Sequence, residues 1–407
     1  MELIIYMPMK FGIIREGKVP PDRRVVFSPQ ELLNFKNQFP QAKFKIEPSD
    51  IRVFSDDAYA DAGFDVQADL SDCDVLLGVK EVPIDDLIPN KTYFFFSHTI
   101  KKQPYNKELL QACLEKKIRL IDHETLVDEK GNRLIGFGRY AGIVGAYNTF
   151  RTFGKQFDLF HIQKADNLSS QKDLIDRLKK LSLPPIKVLL TGKGKVGCGA
   201  KEMLVGMKMK EVSAEDFLTK KYSHAVYTHI NYEQYYRRID GSPMEKQDYF
   251  AHPEWFESDF EKYAQVADIF IAGHFYQENA PYILTQEMLK STKNTIKVVG
   301  DISCDIDGPI APTIRPSTIA EPFYGYNPRT HQEVPLSHPE AIGVMAVDNL
   351  PCELPKDASE GFGKCFLEKI IPAFFNNDAD GVLKRATICE NGQLTERFNY
   401  LTDYAEI

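Results

Sequence analysis

Short apolar runs recur along the chain, separated by stretches in which apolar residues are spaced three and four apart. Val75-Leu76-Leu77-Gly78-Val79, Tyr93-Phe94-Phe95-Phe96 and Ile118-Arg119-Leu120-Ile121 have the length and composition of buried strands. Between the last two, Asn106 to Lys116 places Leu109, Leu110 and Cys113 on one helical face. Strands alternating with helices predict an α/β unit whose parallel sheet is covered on both faces. Residues 141–162, rich in small side chains, read as a long connecting helix. The polar segment 163–185 holds a helix around Gln171 to Leu181 that closes at Pro184-Pro185. Alternation restarts at Ile186-Lys187-Val188-Leu189-Leu190 and continues through a strand ending near Val212 to Glu215. It resumes with strands at Ala267–Ala272 and Ile296–Asp301 and a short helix at Gln286–Ser291. The polar, tyrosine-rich stretch from Tyr222 to Tyr263 reads as an irregular excursion. The amphipathic stretch Ala358 to Phe375 is expected to pack back on the first unit.

The strand at 186–190 runs into Thr191-Gly192-Lys193-Gly194-Lys195-Val196-Gly197-Cys198-Gly199-Ala200, and a helix-like segment follows. Strand, G-x-G-x-x-G, helix is the context a dinucleotide needs. Gly192 makes the tight turn, Gly194 lets the backbone approach the pyrophosphate, and Gly197 lets helix and strand pack closely. The diphosphate then rests on the amides at the helix start, including those of Lys195 and Val196. The fold expected is therefore α/β, with two Rossmann-like domains built on parallel sheets and a cleft between them. Residues 151–344 form the dinucleotide domain, and residues 1–150 plus 345–407 form the substrate domain.

Composition narrows the partners. The 407 residues carry 50 basic and 58 acidic side chains, a net charge of -8, which argues against nucleic acid or an anionic membrane surface. No apolar run is long enough to span a bilayer. Met1-Glu2-Leu3-Ile4-Ile5-Tyr6 lacks a basic start and a cleavable site, so a cytoplasmic enzyme acting on small molecules is expected. Seven cysteines without C-x-x-C spacing predict neither a disulfide framework nor a metal site, and Cys198 reads as a small loop residue.

Three groups of residues are candidates for chemistry. Lys80 and His98 each follow a strand, and in an open parallel sheet ligands gather outside the carboxyl ends of the strands. Either alone is equally a solvated lysine or a capping histidine; together they suggest one proton-transfer site. Gly300-Asp301-Ile302-Ser303-Cys304-Asp305 ends a late strand of the dinucleotide unit, near the place of a nicotinamide ring. Asp305 there either orients a ligand or forms a turn. Arg23-Arg24 offers a guanidinium fork for a carboxylate, or is a surface pair.

Taken with Arg24-Val25-Val26-Phe27-Ser28-Pro29, these residues resemble the alanine dehydrogenase/transhydrogenase superfamily. The segments Lys91 to Gln103, Arg119 to Glu124, Phe137 to Gly142, Gly300 to Ser303 and Val347 to Pro355 resemble its saccharopine-forming branch more closely. The similarity is greatest to the lysine–2-oxoglutarate reductase domain of the bifunctional aminoadipic semialdehyde synthases. The resemblance implies that Lys80 and His98 are catalytic, that Arg24 binds a substrate carboxylate, and that Glu81, Glu124 and Asp305 belong to the substrate site. It also implies that Asp301, Ser303, Asp348, Asn349 and Leu350 lie along the cofactor. It does not extend to a second, saccharopine-cleaving domain, so a free-standing reductase is expected. The implied reaction interconverts saccharopine with lysine and 2-oxoglutarate. An alanine-type dehydrogenase and a non-catalytic nucleotide sensor are the alternatives, and the oligomeric state is open.

The resemblance implies NADP(H), whereas an acid about 20 residues beyond the glycine turn marks NAD(H). Glu215 lies near that place, although Ser213-Ala214-Glu215-Asp216 also reads as the start of a helix. Lys220 and Lys221 are nearby, and the balance tips slightly to NADP(H), with NAD(H) the second choice.

Overall fold

The computed structural model describes residues 8–277 and 279–406. The reading made above of Met1–Tyr6 lies outside the described residues. The chain forms two compact units, Met1–Phe137 with Pro355–Ile407, and Gly138–Leu354.

In the first unit the strands are β1 (Lys10–Ile13), β2 (Lys43–Ile46), β3 (Asp65–Val66), β4 (Val75–Leu77), β5 (Thr92–Phe95) and β6 (Arg119–Asp122), joined late by β17 (Thr387–Glu390) and β18 (Gln393–Leu394). Their order is β18-β17-β6-β5-β4-β1-β2-β3. β1 to β6 pair in parallel, and the near-continuous burial of β4 and β5 follows from helices lying on the sheet. The sheet is not wholly parallel as expected. β17 pairs antiparallel with β6 and then turns back tightly into β18, a pairing open to strands that need no crossover.

The stretch Ala358 to Phe375 does belong to this unit, as the helix Pro355–Lys369 and a second helix Ile371–Phe375 that Pro372 helps to start. The first helix sets Phe362 and Phe366 among the rings of Phe27, Phe94, Phe96 and Phe137, so the C-terminal segment completes the core that the N-terminal one begins.

The second unit has β7 (Lys187–Thr191), β8 (Lys210–Glu211), β9 (Val226–Ile230), β10 (Tyr236–Arg238), β11 (Phe256–Ser258), β12 (Ile269–Ala272), β13 (Val298–Asp301), β14 (Tyr324–Asn327), β15 (Gln332–Val334) and β16 (Ile342–Met345). Its main sheet runs β15-β14-β16-β13-β12-β7-β9-β8, again mostly parallel with an antiparallel hairpin, β14–β15, at one edge. The stretch Tyr222–Tyr263 is not the irregular excursion it resembled. It contains β9, an interior strand beside β7, and the hairpin β10–β11. Thr228 and His229 disguise the strand as polar, yet Thr228 is buried and the ring of His229 is hydrogen-bonded to Gly192 O. The tyrosines of this stretch are core: Tyr235, Tyr236, Tyr249 and Tyr263 are all buried.

The long helix runs Gly138–Gln156 and packs on the helix Lys195–Gly206. A Cβ at Gly142 would lie 1.9 Å from Val196 O, so the two backbones touch there. This packing joins the whole helix to the dinucleotide unit, and the division falls at Phe137/Gly138 and Leu354/Pro355 rather than at 150 and 345.

Candidate active site

Two strand ends and one N-terminal loop carry the candidate groups of the first unit. After β4 the chain runs through Gly78 and Val79 to Lys80. Glu16 clasps this turn with both oxygens, Oε1 accepting from Val79 N at 2.7 Å and Oε2 from Lys80 N at 2.8 Å. Burial pushes the Glu16 carboxyl up to about 8, against the pull of those two N–H groups. From the other side His123, fully buried between phenylalanine rings, donates Nε2–H to Gly78 O at 2.8 Å; burial lowers its pKa to about 4, so the ring is neutral. The ammonium of Lys80 is itself held below its ordinary pKa, first by burial and then by the nearby Arg24 and Lys18, while Glu81 and Asp22 oppose the shift.

After β5, Asp122 at the end of β6 plays the corresponding part. Its Oδ2 accepts from Ser97 N (2.8 Å), Ser97 Oγ (2.6 Å) and His98 N (3.1 Å), and its Oδ1 accepts from Glu124 N (2.7 Å). His98 is thereby held in the left-handed region at φ 54°, unusual for a side chain with a Cβ. Its ring lies between two carboxylates, with Nδ1 3.5 Å from Glu124 Oε2 and Nε2 3.9 Å from Glu81 Oε1. Burial raises Glu124, but the His98 ring, Arg133 at 2.6 Å and Lys101 at 3.5 Å outweigh it and hold the carboxyl at about 2. Lys18 Nζ donates to Glu81 Oε2 at 2.9 Å.

Arg24 is buried and already bidentate to Asp22, Nε to Oδ1 at 3.0 Å and Nη2 to Oδ2 at 2.6 Å, with its guanidinium 4.2 Å above the Phe137 ring. Of the expected residues, His98, Glu81 and Glu124 converge, and Lys80 and Arg24 share one electrostatic neighbourhood. Sequence reasoning missed Glu16, Asp122 and His123 as positioning groups. The only signal was that Asp122 and His123 stand inside Arg119 to Glu124, one of the segments that carried the resemblance.

In the second unit Gly192 sits at φ 90°, and a Cβ there would meet Gly273 O at 2.4 Å. A Cβ at Gly197 would fall 1.7 Å from Gly192 O, so only glycine lets the helix start so close to the turn. Gly194 caps the helix Lys195–Gly206 and has nothing within 4 Å of its would-be Cβ, leaving the backbone open to approach above the amides of the first turn, Lys195 and Val196. These features fit a dinucleotide pyrophosphate.

The other expected cofactor residues are more engaged with the protein itself. Asp301 is fully buried and accepts from Ser303 N, Ser303 Oγ, Cys304 N and Thr313 Oγ1 at 2.6–3.2 Å. Asp305 opens a turn closed by Gly308 N to its carbonyl at 3.1 Å. Asp348 is exposed, Asn349 O accepts from Cys352 N at 3.1 Å, and Leu350 begins a buried helical turn. Glu215 is in the first turn of the helix Ala214–Thr219, capped by Ser213 Oγ accepting from Asp216 N at 3.1 Å. Among the described residues no group of three or more His, Cys, Asp or Glu is placed to hold a metal ion, and no helix is long and apolar enough to cross a membrane.

A glycine turn opening a helix over a mostly parallel sheet in one unit, and a second α/β unit with a lysine and a histidine just after its strands, are the parts of a two-domain nicotinamide-dependent dehydrogenase class. The chain belongs to the alanine dehydrogenase/PNT family: residues 12–144 match the model of its N-terminal domain and residues 177–397 that of its C-terminal domain. Among relatives, it is 30% identical to the mitochondrial alpha-aminoadipic semialdehyde synthase of Bos taurus over 95% of this chain and 46% of that protein. It is 28% identical to the alpha-aminoadipic semialdehyde synthase of Arabidopsis thaliana over 96% and 41%. The chain thus spans less than half the length of these relatives. It is 24% identical to a saccharopine dehydrogenase [NAD(+), L-lysine-forming] of Yarrowia lipolytica, over 80% of this chain and 82% of the other. An L-alanine dehydrogenase structure shares the fold at a TM-score of 0.64, with 17% identity and coverage of 98% and 100%.

Proposed function

We propose that the chain interconverts saccharopine with L-lysine and 2-oxoglutarate, as a lysine–2-oxoglutarate reductase dependent on NAD(P)(H). The observation that carries this reading is the His98 imidazole, set between the Glu81 and Glu124 carboxylates, with Glu81 the chain neighbour of Lys80, whose ammonium is destabilised. The names of the relatives supply the substrate class.

Condensation of an amine with a keto acid requires a base, because the attacking amine must be neutral, and an acid, because the carbinolamine must lose water to become an imine. Lys80, with its lowered pKa, takes the proton from the substrate amine. His98, placed between the carboxylates of Glu81 and Glu124, gives a proton to the carbinolamine hydroxyl as it leaves as water. Glu16 and Asp122 keep both groups in place through the backbone. Arg24, buried and charge-balanced by Asp22, offers a substrate carboxylate a preorganised cation. The dinucleotide supplies or accepts the hydride when bound.

The test is oxidation of the reduced dinucleotide with 2-oxoglutarate and either lysine or ammonia. Lysine-dependent oxidation is expected. Oxidation that needs ammonia and ignores lysine would return the chain to the alanine-type reading, and silence with every amine to the nucleotide-sensing one.

A further inference from the structure

Resting on the dinucleotide reading above, we infer that this chain discriminates between the two nicotinamide dinucleotides at Asn231–Glu233, beyond β9, and favours NAD(H) over NADP(H). In a dinucleotide-binding sheet the adenosine ribose is read by side chains beyond the strand that flanks the glycine-turn strand. An acid about 20 residues past the turn takes the 2′-hydroxyl, and a cation takes a 2′-phosphate. That spacing assumes that the next strand in sequence is also the next strand in space.

Here it is not. The order is β7-β9-β8: β8, only Lys210–Glu211, is displaced to the sheet edge, and β9 is inserted between it and β7. β9 pairs with β7 along its whole length, from Lys187 with Val226 to Thr191 with Ile230. Glu215, at the expected spacing, follows the edge strand and starts a separate helix. The flanking strand ends at Ile230. It is tied to the glycine turn by two hydrogen bonds, Gly192 N–H to Ile230 O at 2.9 Å and the His229 Nε2–H to Gly192 O at 2.6 Å.

The residues that follow are an amide, a phenol and a carboxylate, with no cation among them. Asn231 Nδ2 donates to Glu233 Oε2 at 2.7 Å, tying that carboxylate to the turn, while Gln234 Oε1 accepts from Asn231 N at 3.1 Å. A carboxylate in this place accepts ribose hydroxyls and repels a 2′-phosphate. Of the lysines in the region, Lys201 is paired with Glu211 at 2.9 Å and Lys220 with Asp216 at 2.8 Å. Lys221 is exposed beyond the helix Ala214–Thr219, and Lys193, in the glycine turn, acts on His229 at the end of β9, so it is the competing cation that the test must separate from Glu233.

The test is titration of the intact chain with NADH and with NADPH in the absence of amine and keto acid, read by intrinsic fluorescence quenching or calorimetry. NADH is expected to bind at least about tenfold more tightly, the scale of one charge-assisted hydrogen bond. Glu233→Gln should narrow that ratio and Glu233→Arg invert it, while Glu215→Gln leaves it where it was. Glu233 is exposed and the Gln234 cap is untouched, so circular dichroism of these variants should match that of the parent. A parent chain that binds NADPH as tightly as NADH overturns the inference, as does a ratio that follows Glu215 or Lys193 and ignores Glu233; either leaves the dinucleotide reading standing. Binding of neither dinucleotide removes both.

Discussion

Asp122 is the group whose removal says most about how the first unit holds its chemistry. Asp122→Ala deletes the acceptor of three backbone N–H groups, those of Ser97, His98 and Glu124, and of the Ser97 hydroxyl, which retains Thr99 Oγ1 at 2.9 Å as a partner. Each buried N–H left without an acceptor costs about 1–3 kcal/mol. Against this, the variant no longer desolvates a carboxylate, a penalty large enough here to raise the Asp122 pKa. The net loss expected is about 3 kcal/mol, which corresponds to a fall in thermal midpoint of roughly 6–12 °C for a domain of this size.

The catalytic effect should be larger than the stability effect suggests. His98 occupies a left-handed backbone conformation costing about 1–2 kcal/mol, and Asp122 is what holds its N–H there. Released, His98 moves its ring from between Glu81 and Glu124, and kcat/KM for lysine-dependent oxidation should fall by about 100-fold or more, the contribution of one positioned acid–base group. Dinucleotide affinity, set in the other unit, should stay as it was. Asp122→Asn keeps the shape and one acceptor oxygen, so it should show roughly half the destabilisation and an intermediate rate. Thermal melts by circular dichroism and steady-state kinetics on both variants decide the matter. If Asp122→Ala keeps both its midpoint and its kcat/KM, the backbone clasp is not what organises the site.

Three further outcomes are expected. Replacing Lys80 by Met and His98 by Gln together should abolish turnover and leave dinucleotide titrations unchanged; retained turnover would show that proton transfer is done elsewhere. Gly197→Ala puts a methyl 1.7 Å from Gly192 O, so the turn must open, at a cost of about 1–3 kcal/mol; binding of either dinucleotide should be lost, which titration reads directly. Acidification should withdraw the stabilisation that His123 and His274 contribute, both buried with pKa values lowered by burial to about 4, while the Glu16 carboxyl, pushed up to about 8, acts in the opposite sense. The unfolded chain takes up these protons near its ordinary imidazole value while the folded chain refuses them, so the stabilisation is complete above about pH 6.5 and is lost as the pH falls toward 4. Each imidazole removes roughly 2 kcal/mol between pH 7 and 5. Urea midpoints of the parent and of a His123→Phe variant at the two pH values separate the histidine from the opposing carboxyl: the variant should lose less, or gain more, on acidification than the parent, and an identical pH response would exclude His123 as a source.

Most strands and helices were legible because their signal is local. Val75–Leu77, Thr92–Phe95 and Ile269–Ala272 are apolar runs buried on both faces, and a run of that kind announces a covered parallel strand. The glycine turn was legible for a similar reason, since Gly192 and Gly197 are demanded by backbone geometry within six residues of one another. β9 was hidden because its polar side chains are satisfied by partners distant in sequence: His229 looks solvent-facing until Gly192 O, 37 residues away, is beside it. The same displacement misdirects the count to Glu215, because a spacing rule carries an assumption about strand order that the sequence does not state. The site divides along the same line. Lys80 and His98 could be nominated because strand ends are visible in the sequence and proton-transfer side chains there are few. Glu16, Asp122 and His123 could not, because what they bind is main chain: Val79 N and Lys80 N, Ser97 N and His98 N, Gly78 O. A carboxylate that clasps a backbone needs no complementary residue type opposite it, so it leaves no pair in the sequence to find. It also constrains the clasped residue's conformation without constraining its identity. The clasps therefore account for where Lys80 and His98 stand, and the proton transfers proposed for them rest on the chemistry of those two side chains in the field of Glu81, Glu124 and Arg24.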